Sequence, residues 1–159
     1  MIVLVGFMGA GKTTVGQLLA AKLGVPFTDS DHVIEDRAGK PIRQIFTDEG
    51  EPAFRQLEHE VIAGLLTGRD TVLALGGGAL QHPGTRDLLA GVPVVYLRVS
   101  FDEAIARVGS DRTRPMLARP DVASLHAYRD PVYAGVATLT IEAGSRSPDD
   151  IVLAILAGL

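Results

Sequence analysis

The hydrophobic pattern of the chain predicts a three-layer α/β fold, a parallel sheet between helices, and two observations carry the prediction. Short β-branched apolar runs recur along the 159 residues, and helical patterns fall between them. A third observation is a glycine-rich segment after the first run, at the carboxyl edge where open parallel sheets bind ligands.

Ile2 to Val5 is uninterrupted and apolar, as a strand buried on both faces must be. Thr13 to Leu23 reads as a helix that opens on hydroxyl residues and closes at Gly24, with Pro26 just beyond. Val25 to Thr28 is a short second strand. Phe54 to Leu66 places Phe54, Leu57, Val61 and Leu65 on one face of an amphipathic helix. Val72 to Leu75 is the third strand, Thr85 to Ala90 a helix, and Val92 to Val99 the fourth strand. Phe101 to Val108 and Val122 to Ala137 read as helices, Thr138 to Ile141 as a last short strand, and Pro148 to Ala157 as the final helix. No repeat, low-complexity tract or linker divides the series, so residues 1–159 are expected to form a single domain.

Composition excludes several classes of function. Hydrophobic residues make up 47% and charged residues 21%, too apolar a balance for a disordered chain. There is no cysteine, hence no disulfide, thiolate zinc site or thiol nucleophile. The four histidines, His32, His59, His82 and His126, lack metal-ligand spacing. A net charge of −4 argues against nucleic acid as a partner. The absence of a long apolar run or a leader-like start argues against a membrane and for the cytoplasm. With no evident coiled coil, a monomer is expected. Five of the twelve arginines, Arg107, Arg112, Arg114, Arg119 and Arg129, fall in one short stretch, which is either a solvated face or a place where an anion is handled.

Gly6-Phe7-Met8-Gly9-Ala10-Gly11-Lys12-Thr13 matches G-x-x-x-x-G-K-[ST] between a predicted strand and a predicted helix. Glycines let the backbone wrap phosphate oxygens, and the helix N-terminus adds positive potential. Lys12 would reach the β and γ phosphates, and the Thr13 hydroxyl would sit on Mg²⁺. Gly9, Ala10, Gly11 and Thr14 complete the expected ATP cradle. Asp29-Ser30-Asp31 follows the second strand. If the strand continues, both carboxylates share a face, one for Mg²⁺ and one for an attacking hydroxyl; otherwise they cap the next helix, near His32. Gly76-Gly77-Gly78 ends the third strand, either as a flexible turn or as backbone that a ligand or another segment approaches closely. Arg55 and Glu58, three residues apart, project together, as a surface ion pair or as an acid holding a guanidinium in place.

Over nearly its whole length the chain resembles the shikimate kinases. The resemblance rests on the segments above, in order and spacing, together with Phe54-Arg55-xx-Glu58, Arg112-Thr113-Arg114-Pro115-Met116-Leu117 and Arg129-xxx-Tyr133. It implies a P-loop kinase fold with a five-stranded parallel sheet, moving the γ-phosphate of ATP to the 3-hydroxyl of shikimate in aromatic amino acid biosynthesis. Lys12, Asp31 and Arg114 are then the catalytic residues, with Asp29 and Thr13 near Mg²⁺. Arg55 and Arg129 clamp the shikimate carboxylate, with Asp31, Phe46, Phe54, Glu58, Gly76, Gly77, Gly78 and Pro115 around the substrate. Arg107, Arg112 and Arg114 attend the nucleotide, Arg146 and Pro148 pack on adenine, and a mobile lid covers about 109–120. The chain departs from the family between Arg114 and Arg129, where it is shorter by about one helical turn. The alternatives are another P-loop kinase, acting on gluconate or a nucleoside monophosphate, or a silent binder.

Overall fold

The computed structural model describes residues 1–108 and 122–159. The strands are β1 (Ile2–Val5), β2 (Phe27–Asp29), β3 (Val72–Ala74), β4 (Val94–Arg98) and β5 (Leu139–Glu142). They form one five-stranded sheet in the order β2-β3-β1-β4-β5, and every pairing is parallel. Parallel neighbours need crossover connections, which the helices supply. These are α1 (Lys12–Leu23), α2 (Ser30–Ala38), α3 (Ile42–Glu49), α4 (Glu51–Leu66), α5 (Pro83–Leu88), α6 (Phe101–Val108), α7 (Val122–Val136) and α8 (Pro148–Gly158). A 3₁₀ turn spans Ala79–Gln81.

Val3, Leu4 and Val5 are each at most 1% exposed. Successive strand residues point to opposite faces, so both faces of β1 are covered, and the three-layer expectation holds. The principal core joins the sheet to α1 and α8 through Val15, Leu19, Ile151, Val152 and Ile155. A second cluster of Ile34, Ile45, Phe54 and Val61 binds α2, α3 and α4 to one another. That satellite supports the side of the molecule beyond β2. No helix among the described residues is long and apolar enough to cross a membrane.

The structure shifts several expected boundaries. β4 is shorter than Val92 to Val99, and α4 begins at Glu51 rather than Phe54 because Pro52 occupies the first turn, where its missing N–H costs nothing. The whole of α3 was not anticipated. It carries Ile42, Ile45 and Phe46 at helical spacing but lacks a side-chain cap, and burial of Ile45 in the satellite cluster holds it. The shared-strand reading of Asp29 and Asp31 is corrected: β2 stops at Asp29 and α2 starts at Ser30. The Asp29 carboxylate accepts a hydrogen bond from the Asp31 N–H at 2.9 Å, so Asp29 caps α2.

Candidate active site

The loop from β1 into α1 folds by residue type. Gly9 and Gly11 sit at φ values of 82° and 87°, a left-handed conformation that side chains other than glycine rarely adopt. A Cβ at Gly9 would also lie 2.8 Å from the Ala104 carbonyl oxygen. The turn delivers the N-terminus of α1, with its partial positive charge, to the carboxyl edge of the sheet. Lys12 donates to the carbonyls of Gly6 at 2.8 Å and Phe7 at 3.2 Å, which folds its ammonium back over the loop. Ala10 is buried and its N–H donates to Phe7 O, so it shapes the loop from within.

A cavity of about 970 Å³ opens over this loop. Gly9, Gly11, Lys12, Thr13 and Thr14 line one end, and Phe46, Phe54, Arg55, Glu58 and Arg129 line the other. Asp29 and Asp31 also face it. The Asp31 carboxyl is pushed up to about 6, first by burial and then by the charge of Asp29, against the opposing pull of Lys12 and Arg55. A half-buried carboxylate that feels both the Lys12 ammonium and the Arg55 guanidinium is a candidate for proton transfer.

The three glycines after β3 are explained by what surrounds them. A Cβ on Gly76 would fall 2.5 Å from Asp31 Oδ1, one on Gly77 3.3 Å from Arg129 Nη1, and one on Gly78 2.3 Å from Arg55 Nη2. The backbone angles are ordinary, with φ at Gly78 of −100°. Glycine is therefore needed for room: each residue of the turn seats one polar side chain of the site. Protein side chains approach the turn closely, and its three glycines also line the cavity.

Arg55 and Arg129 meet above this turn. Arg55 donates to Glu58 Oε1 at 2.9 Å, reaches Glu51 at 3.4 Å, and lies over the rings of Phe54 and Phe46 at 5.0 and 5.9 Å. Glu58 is 1% exposed, and burial pushes its carboxyl up to about 7 in spite of Arg55. Arg129 is 3% exposed, with Nε and Nη2 unpaired, and Arg55 Nε is unpaired as well. Unpaired, buried guanidinium nitrogens cost free energy that an incoming carboxylate would recover through two-point contact. The Tyr133 hydroxyl, pushed up to about 12 by burial, donates to the Gly77 carbonyl beside them.

Substituting Gly78 with alanine should displace the Arg55 guanidinium while leaving the backbone unstrained. We expect acceptor affinity to fall about tenfold, the scale of one lost charge-assisted hydrogen bond, with nucleotide affinity near that of the parent. Calorimetric titration with each ligand measures both, and equal losses for the two would contradict the seating role.

Arg107 joins the cavity at the glycine-loop end, donating to the carbonyls of Gly9, Ala143 and Gly144 at 3.2, 3.0 and 3.0 Å. Arg146 and Pro148 are exposed beyond β5 and do not line the cavity. Arg112, Arg114, Pro115, Arg119 and the proposed lid at 109–120 lie outside the described residues.

A family model described as shikimate kinase matches residues 8–159. The chain belongs to the shikimate kinase family. It is 46% identical to the shikimate kinase of Mycobacterium avium, over 99% of this chain and 92% of that protein. It is 48% identical to the shikimate kinase of Thermobifida fusca, over 94% of this chain and 89% of that protein. The structure of shikimate kinase from Acinetobacter baumannii in complex with shikimate superposes with a TM-score of 0.92 at 42% identity, covering 98% of this chain and 89% of that one.

The cavity has further lining residues that the sequence reading passed over: Glu35, Pro41, Ile42, Arg43 and Glu51. All but Glu51 come from α2, α3 and the turn between them. The signal for α3 was present in the spacing of Ile42, Ile45 and Phe46, and finding that helix would have brought Arg43 with it. Glu35 has a structural use too, accepting the Ile42 N–H at 2.8 Å and so supplying the cap that α3 lacks in its own sequence.

Proposed function

We propose that this chain transfers the γ-phosphate of ATP, taken as its Mg²⁺ complex, to the 3-hydroxyl of shikimate, giving shikimate 3-phosphate and ADP. One observation carries the reading: a single cavity has a glycine-rich P-loop at one end, the guanidinium pair of half-buried Arg55 and buried Arg129 at the other, and Asp31 within electrical reach of Lys12 and Arg55. Thr13 and Asp29 offer a hydroxyl and a carboxylate to the same space. Those hard oxygen donors suit Mg²⁺, which also takes water and phosphate oxygens. When bound there, the ion would offset charge on the phosphates.

Arg55 and Arg129 would grip the shikimate carboxylate, and the rings of Phe46 and Phe54 would close the wall behind it. Held this way, the 3-hydroxyl would lie against Asp31. The hydroxyl oxygen forms the new bond to the γ-phosphorus, the bond from that phosphorus to the ADP oxygen breaks, and the hydroxyl proton passes to Asp31. Lys12 and the N–H groups at the start of α1 would hold the charge that collects on the transferring group.

The test is a coupled ADP-release assay with MgATP and shikimate, gluconate, a nucleoside monophosphate or no acceptor. Release that depends on shikimate is expected. Preference for another acceptor would overturn the substrate and keep the chemistry, and no release with any acceptor would overturn both.

A further inference from the structure

Arg129 stands on a helix with a weak point. Pro131 lies inside α7, where it has no N–H to donate to the carbonyl one turn back and its ring crowds that carbonyl. Proline also disfavours the helical conformation in the residue before it, which is Asp130. The helix nevertheless continues to Val136, and the side chain of Asp130 is held from outside. Its Oδ1 accepts the Tyr96 hydroxyl at 2.5 Å and Arg98 Nε at 3.1 Å, and its Oδ2 accepts Arg98 Nη2 at 3.0 Å. Tyr96 and Arg98 are two apart on β4 and so share one face of the sheet. Arg98 is braced in turn by Glu142 on β5 at 3.4 Å. One turn beyond Asp130, the Tyr133 ring packs against Tyr96 with centroids 5.1 Å apart, and its hydroxyl holds Gly77.

We infer that Asp130 is a positioning residue for the acceptor site: anchored by Tyr96 and Arg98, it fixes α7 at its proline and so sets where the Arg129 guanidinium sits over Gly77. This rests on the function proposed above. Asp130 does not line the cavity and touches no reacting group. Its effect belongs to acceptor binding, while the nucleotide end, built by β1 and α1, is independent of it.

The experiment compares Asp130→Ala, Tyr96→Phe and the double variant Asp130→Ala/Pro131→Ala with the parent in steady-state kinetics, with melting temperatures in parallel. Turnover of shikimate by the parent tests the function, and the ratios of variant to parent test the anchor. For Asp130→Ala the KM for shikimate should rise about tenfold or more, the scale of one charge-assisted hydrogen bond lost from a two-point contact. The KM for ATP should stay within about twofold. Tyr96→Phe should show the same selectivity in smaller measure. Restoring the helix bond with Pro131→Ala should recover part of the shikimate KM, a rescue that general loss of stability would not give. Unchanged shikimate KM in a folded Asp130→Ala protein, or parallel loss for both substrates, would overturn the inference. If Asp130→Ala fails to fold, Tyr96→Phe decides by the same two criteria.

Discussion

Replacing Asp31 with asparagine is expected to lower turnover by about 10²–10⁴-fold, the contribution typical of a positioned acid or base, while ATP affinity stays near that of the parent. Asparagine keeps the shape and can still orient a hydroxyl, but it cannot take the proton. Near-normal turnover would remove Asp31 from proton transfer and leave positioning as its whole role. The pH profile gives a second reading of the same group. The Asp31 carboxyl of the free protein is raised to about 6, so kcat/KM for shikimate should rise as pH increases through that region, and the variant should lose the step.

Stability should move the other way. A carboxyl whose folded value lies above its ordinary 3.8 binds its proton more tightly in the folded state. It therefore opposes folding progressively as pH rises from about 4 to about 6, and by about 3 kcal/mol above that window. Asparagine has no such dependence. The melting temperature of Asp31→Asn relative to the parent should accordingly climb between pH 4 and pH 7. A difference that is flat with pH would mean that Asp31 does not titrate where its burial and Asp29 put it.

What could be read from the sequence divides along a physical line. The phosphate loop was legible because its demands are local: left-handed glycines, a lysine, and a hydroxyl at the helix start stand within eight residues. The inner strands β1 and β3 were legible for the same reason, since burial on both faces leaves an apolar run with nothing polar in it. The Arg55 and Glu58 pairing followed from their spacing on one helix. The reason for three glycines was not legible, because the side chains that crowd them come from α2, α4 and α7. The anchor at Asp130 was hidden likewise, its partners being 32 and 34 residues away along the chain. Asp29 is intermediate: both candidate uses were visible, and the structure shows the cap, while its place in the cavity leaves the metal role as a proposal.

Arg129→Met is expected to make the ligand-free protein more stable and to abolish the acceptor site. Arg129 is buried, burial pulls its guanidinium toward deprotonation, and two of its nitrogens lack partners. Each unsatisfied donor costs about 1–3 kcal/mol, and a buried charge without a close counter-ion is costly to desolvate, a cost that an apolar side chain of similar length does not carry. For a chain of this size each 1 kcal/mol gained should raise the melting temperature by about 2–4 °C. Shikimate at about 100 times its dissociation constant should stabilise the parent by about 2.7 kcal/mol, and it should leave the methionine variant where it was. Arg129→Lys separates charge from shape: lysine keeps the cation but cannot make a two-point contact, so shikimate binding should weaken without vanishing. A fall in the ligand-free melting temperature of Arg129→Met would show that the guanidinium is satisfied within the protein, and the carboxylate clamp would lose its physical basis. A rise, together with the lost response to shikimate, would mean that the fold gives up stability at this residue to hold a cation ready for the acceptor.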